Sequence, residues 1–157
     1  EAQSIEVIDS VKKSIPGKPI RYLINSHSHF DHIGGMRTYA AEGATIVTHR
    51  DNIPLYQQMW ANPRTLRPDR LAKSGRAATF EGVVGTRMMT DGARRLVIYH
   101  YPGNMHNPGM LMVYLPKEKI LVEADSFSPP AAPLTAPPNA LANLRHFIES
   151  VDDCNWT

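Results

Sequence analysis

The stretch from His27 to His32 holds His27, His29, Asp31 and His32, four side chains of the metal-ligating types within six residues. Imidazole nitrogens and carboxylate oxygens are the donor set of a divalent transition ion such as Zn²⁺, which takes such ligands at about 2.0 to 2.2 Å and keeps a position open for water in catalytic sites. A strand alternates faces at each residue, so His27 and His29 can share a side while Asp31 and His32 need the chain to turn. Gly34-Gly35 stand where that turn is expected, because glycine has the least restricted backbone. The stretch therefore reads as a strand end opening into a loop, where scaffolds commonly hold functional groups.

Two later residues belong to the same chemistry. His106 lies in the 102–109 loop between the Pro102-Gly103 and Pro108-Gly109 pairs, and Asp125 follows the apolar run Ile120-Leu121-Val122. Three loops opening at one sheet edge would bring four imidazoles and two carboxylates into a single cleft.

The elements that position these groups follow from periodicity. Ile5, Ile8, Val11 and Ile15 recur at helical spacing, so an amphipathic helix is expected up to Pro16-Gly17. Ile20 to Ser26 reads as a largely buried strand delivering the histidines, Met36 to Glu42 as a short helix capped by Gly43, and Ala44 to Thr48 as a second buried strand. Strand, helix, strand implies a parallel pair. Asp51 is expected to cap a helix through Trp60 with Pro54 in its first turn. Arg64, Arg67, Arg70, Lys73 and Arg76 form a solvated basic face or an anion-binding lid. Thr86 to Thr90 and Arg94 to Tyr101 form a hairpin around Asp91-Gly92, and strands follow at Met110 to Leu115 and Ile120 to Ala124. The Pro-rich run 129–138 is a connection, and Leu141, Leu144, Ile148 and Val151 mark a final helix.

The 157 residues suit one domain, residues 1–157, and a net charge of +2 without blocks of like charge argues against a nucleic-acid partner. A small-molecule substrate is the expected partner. No apolar run approaches the roughly 18 residues of a membrane span. Cys154 is the sole cysteine, which excludes an internal disulfide and leaves the compartment open between cytoplasm and periplasm. Oligomeric state is not encoded in any motif.

At His27 to His32, His106 and Asp125 the chain resembles the metallo-β-lactamase superfamily, whose hallmark is His-x-His-x-Asp-His after a strand. The resemblance implies an α/β fold, the αββα sandwich of that family. It further implies that His27, His29 and His106 hold a first metal, Asp31 and His32 a second, and that Asp125 bridges them. Two zinc ions would then deliver a bound hydroxide to an ester, thioester, lactone, amide or phosphodiester, with Asp31 orienting the nucleophile or taking up its proton. The β-lactamases of the family carry cysteine or serine at the bridging position, so Asp125 points away from antibiotic cleavage. Iron-dependent sulfur oxygenases of the same fold, with one iron, and a non-catalytic metal-binding module are the alternatives. The family's further C-terminal histidine has no match in the chain and few residues precede the hallmark, so a truncated domain is expected. Asn107 and Ala124 replace the family's usual threonine and glycine. His49, His100 and His146 read as structural, and Tyr99, Tyr101, Met105, Met110 and Met112 as core in preference to a pocket lining.

Overall fold

The computed structural model describes residues 1–126 together with His146 and Glu149. The Pro-rich connection at 129–138 and the apolar residues of the expected final helix lie outside these. Two compact units divide at Gly82 and Val83, and each has its own core.

In the first unit, helix α1 (Ala2–Ser14) stops before Pro16-Gly17 as its periodicity requires. Of its apolar stripe, however, Ile8 alone is fully buried, while Val11 and Ile15 are exposed. Strand β1 (Tyr22–Ile24) is shorter and less buried than expected. It pairs in parallel with β2 (Thr45–His49), Leu23 opposite Ile46. Between them run the single-turn helix α2 (Phe30–Ile33) and helix α3 (Met36–Ala41). Gly43 follows α3 at φ +90°, a conformation that side-chain-bearing residues adopt at a cost.

A 3₁₀ turn at Arg50–Asn52 leads into α4 (Ile53–Ala61), with Pro54 in its first turn. Asp51 does not cap this helix, since the residue at the cap is Asn52 and makes no side-chain capping bond. Instead the Asp51 amide donates to His49 Nδ1 at 3.3 Å, which makes the buried His49 a structural acceptor at the end of β2. Helix α5 (Arg70–Ser74) is capped by Asp69, whose Oδ1 accepts from the Ala72 amide at 2.9 Å. Strand β3 (Thr79–Val83), which periodicity did not indicate, completes the sheet in the order β1-β2-β3. Met36, Ala40, Ile46, Tyr56 and Leu71 form the core between this sheet and its helices.

The second unit is an antiparallel sheet in sequence order: β4 (Thr86–Thr90), β5 (Arg95–His100), β6 (Leu111–Leu115) and β7 (Ile120–Val122). The hairpin forms where expected, but its turn spans four residues between Thr90 and Arg95. Asp91 Oδ1 closes it by accepting from the amides of Ala93 and Arg94 at 2.9 and 2.8 Å. Tyr101, Met110 and Met112 form the second core with Leu121 packed against it.

Tyr56 crosses the first core to donate from its hydroxyl to Asn25 Oδ1 at 2.6 Å. Burial pushes this hydroxyl up to about 12, with a hydrogen bond to Thr48 partly opposing. A pKa raised in the folded state means that the native form holds its proton more strongly than the unfolded chain. The stabilisation is then complete below the unfolded value of 10.0 and is lost as pH rises toward 12. Equilibrium unfolding between pH 9 and 12 should accordingly show stability falling more steeply in the native sequence than in Tyr56→Phe; parallel pH profiles would contradict the assignment.

Candidate metal centre

The hallmark residues of the first unit are held by one asparagine. Asn25, buried just after β1, receives Thr48 Oγ1 at 3.0 Å and the Tyr56 hydroxyl on its Oδ1, and its backbone N–H donates to Val47 O at 2.8 Å. Its Nδ2 donates to the carbonyl of His27 at 2.9 Å and reaches the carbonyl of His32 at 3.4 Å. One side chain thus ties both ends of the His27–His32 stretch to the core. Sequence reasoning passed over it, because an asparagine at a strand end reads as an ordinary turn residue.

His29 keeps an extended backbone (φ −69°, ψ 150°) as the residue before α2, so His27 and His29 lie on the extended segment while Asp31 and His32 ride the helical turn. That turn is made by α2 itself and not by Gly34-Gly35, both of which have right-handed helical dihedrals. Gly35 packs against α1 instead: a side chain there would meet the Ser4 hydroxyl, which would have to turn away.

The imidazoles gather closely. The His27 ring centroid lies 4.6 Å from that of His29 and 4.2 Å from that of His32. His32 Nε2 stands 3.5 Å from Asp31 Oδ2. His27 is fully buried, and its Nδ1 meets Ser26 Oγ at 3.1 Å. Ligating histidines characteristically hold the second ring nitrogen in such a bond. Three imidazoles and a carboxylate packed this closely are hard to reconcile with a purely hydrophobic role and fit a divalent cation.

In the second unit, His106 Nε2 lies 3.3 Å from Asp125 Oδ2. Asp125 has φ +64°, a left-handed backbone that aspartate tolerates better than most residues. Glu123 supports this corner by accepting the Ser126 amide on Oε2 at 2.9 Å. Asn104 Oδ1 accepts the amides of His106 and Asn107 at 2.8 and 3.0 Å, and its Nδ2 donates to Ser126 Oγ at 3.3 Å. The loop bearing His106 is thereby fastened to the segment bearing Asp125. The signal in the sequence was the asparagine two residues before a histidine, a spacing that favours a side-chain-closed turn.

Two further histidines engage backbone carbonyls. His100 Nε2 meets Pro108 O at 2.8 Å, across the base of the His106 loop. His146 stacks on Tyr101 at 5.1 Å between ring centroids, with Nε2 3.0 Å from Pro102 O. Met105 differs from its core-forming neighbours in being 71% exposed.

A sequence profile described as the Metallo-beta-lactamase superfamily matches residues 3–152. The chain is similar to the 2,4-dinitroanisole O-demethylase subunit alpha of Nocardioides sp. (strain JS1661), at 25% identity over 122 residues, 74% of this chain and 32% of the relative. Among solved structures it is similar to a metallo-beta-lactamase from Pontibacter korlensis (TM-score 0.64, 19% identity, 94% of this chain and 62% of that one). It is also similar to the rubredoxin oxygen:oxidoreductase of Desulfovibrio gigas (TM-score 0.61, 18% identity, 92% and 35%). A third is the flavodiiron protein of Giardia intestinalis (TM-score 0.56, 19% identity, 94% and 34%). The chain thus spans about a third of the curated relative and less than two thirds of each of these solved chains.

Asn104→Ala should free the His106 and Asn107 amides and cost about 1 kcal/mol, the worth of an ordinary hydrogen bond. Hydrogen exchange would show these two amides losing protection in Asn104→Ala and keeping it in Asn104→Asp, which retains the acceptor. Unchanged protection in the alanine variant would remove Asn104 from this role.

Proposed function

Since this chain belongs to the metallo-beta-lactamase superfamily and has the α/β fold of that family, we propose that it is part of a dinuclear zinc hydrolase acting on a small ester, thioester, lactone, amide or phosphodiester. The observation that carries this reading is the close gathering of His27, His29, His32 and Asp31, with His106 and Asp125 paired in the second unit. His27, His29 and His106 are assigned to one ion, Asp31 and His32 to the other, and Asp125 to the bridge, within a single domain.

Two divalent ions held by these residues would supply Lewis acidity and bring the pKa of a bound water down to about 7. The chain's own residues do the rest. Ser26 fixes the orientation of the His27 ring. Asp31, with its side chain 57% exposed, is the carboxylate placed to take up a proton during hydrolysis. Phe30, 85% exposed between His29 and Asp31, offers an apolar face to a substrate.

A second reading has a specific basis, since two of the similar structures are named as an oxygen:oxidoreductase and a flavodiiron protein. Iron in place of zinc, as in a sulfur oxygenase, would serve oxidation instead. The name of the Nocardioides relative adds an aromatic methyl ether to the compounds worth assaying. A non-catalytic metal-binding module is the remaining alternative.

Elemental analysis of the full-length protein should find close to two zinc per chain, and one iron would favour the oxygenase. His27→Ala should lose at least tenfold in metal affinity and nearly all hydrolysis across a panel of lactone, thioester, phosphodiester, β-lactam and methyl ether substrates. Full metal content and activity in that variant would overturn the ligand assignment, and metal binding without turnover of any substrate would point to the module.

A further inference from the structure

The first unit also carries a basic cleft. Arg37, Trp60, Asn62, Arg64 and Arg76 line a surface cleft of about 380 Å³, whose floor is apolar where Leu71 and Ala78 face it. The guanidiniums come from three different elements: Arg37 from α3, Arg64 from the loop after α4, and Arg76 from the residues after α5.

One carboxylate serves this group. Arg37 grips Asp69 with two bonds, Nε to Oδ2 at 2.5 Å and a terminal nitrogen to Oδ1 at 3.0 Å, and its guanidinium carbon lies 5.6 Å from the Trp60 ring centroid. That double hold on Asp69, with tilted stacking of Trp60 on Phe80 at 5.1 Å, makes one wall of the cleft rigid. Arg64 Nε reaches the same Asp69 Oδ2 at 3.4 Å, on an oxygen that Arg37 already occupies. Among the described residues, Arg76 forms no ion pair with a carboxylate of the cleft. A terminal nitrogen of its guanidinium lies 2.7 Å from the point a Cβ on Gly43 would occupy, so the missing side chain at Gly43 makes the room in which Arg76 sits.

The Arg37 hydrogen bond holds the Asp69 carboxyl down at about 2. Asp69 is therefore ionised at neutral pH, where the three guanidiniums exceed this one carboxylate by two charges. A planar carboxylate satisfies one guanidinium fork and neutralises one charge. A phosphoryl dianion offers oxygens in several directions and neutralises both.

We propose that this cleft is a binding site for the phosphoryl group of a small ligand, held between Arg64 and Arg76 with Arg37 and Trp60 as its fixed wall. It would allow the protein to recognise a phosphorylated substrate portion or effector through contacts other than the metal ligands. Binding in this cleft depends on neither the metal nor the reaction of the protein.

Inorganic phosphate and pyrophosphate, titrated into the metal-free full-length protein so that no metal competes for them, should give saturable binding by calorimetry. Acetate at the same ionic strength should bind at least tenfold more weakly. Arg64→Ala and Arg76→Ala should each weaken phosphate about tenfold, whereas Arg67→Ala, outside the cleft lining, should leave it unchanged. Unaltered circular dichroism and melting in the three variants would show that binding and not folding is being read. The proposal fails if phosphate does not saturate, if acetate binds as well, or if Arg67→Ala loses as much as Arg76→Ala, which would reduce the effect to general surface charge.

Discussion

The hydrogen bonds of Asn25 are the constraint from which the arrangement of the first unit follows. A buried amide has two acceptor directions and two donor hydrogens, and leaving any of them unmet costs roughly 1–3 kcal/mol. In this fold Thr48 and Tyr56 meet the oxygen, while the carbonyls of His27 and His32 meet the nitrogen. The core therefore cannot be assembled without also bending the His27–His32 stretch into its loop. Conversely, a loop that relaxed would leave buried amide and hydroxyl groups unpaired among apolar residues. Asn104 repeats the device in the second unit, where a single side chain accepts two loop amides and donates to Ser126. Pre-organisation of this kind matters for metal ligands, whose affinity depends on how little the protein must rearrange to present them.

Ligand chemistry and hydrophobic period made much of this legible in the sequence. The hallmark spacing marks itself, since so many donors rarely fall together by chance, and His106 and Asp125 stand at the ends of recognisable strands. The parallel pair, the hairpin and the two strands after it also followed from period and turn residues. Other features depend on tertiary contacts that no local window contains. Gly35 reads as a turn residue until Ser4, distant in sequence, is seen against it. Asp51 has the right residue type for a helix cap, yet His49 takes its amide first and the cap moves to Asn52. Strand β3 escaped notice because its glycine and glutamate dilute the strand pattern, while its place beside β2 depends on pairing across the sheet.

The histidines without an assigned metal role show how a residue type is read only in context. His49, His100 and His146 each engage a backbone group: an amide in the first case and proline carbonyls in the other two. A prolyl carbonyl next to a tight turn has few other partners to choose from. Two of these bonds brace the loop that carries His106, from its start at Pro102 and its end at Pro108. Their contribution to the loop is mechanical.

The left-handed backbone of Asp125 bears on how this protein could change over evolutionary time. If Asp125 is the bridging ligand proposed above, its replacement by cysteine or serine looks, on paper, like an exchange of one donor atom for another. At φ +64° it also puts a residue without aspartate's tolerance into a conformation that costs about 1–2 kcal/mol. A lineage moving between these chemistries must therefore reshape the corner held by Glu123 and Ser126 before, or along with, the change of ligand. The backbone at this position acts as an adaptive barrier, making any change of residue type here a matter of several coordinated substitutions.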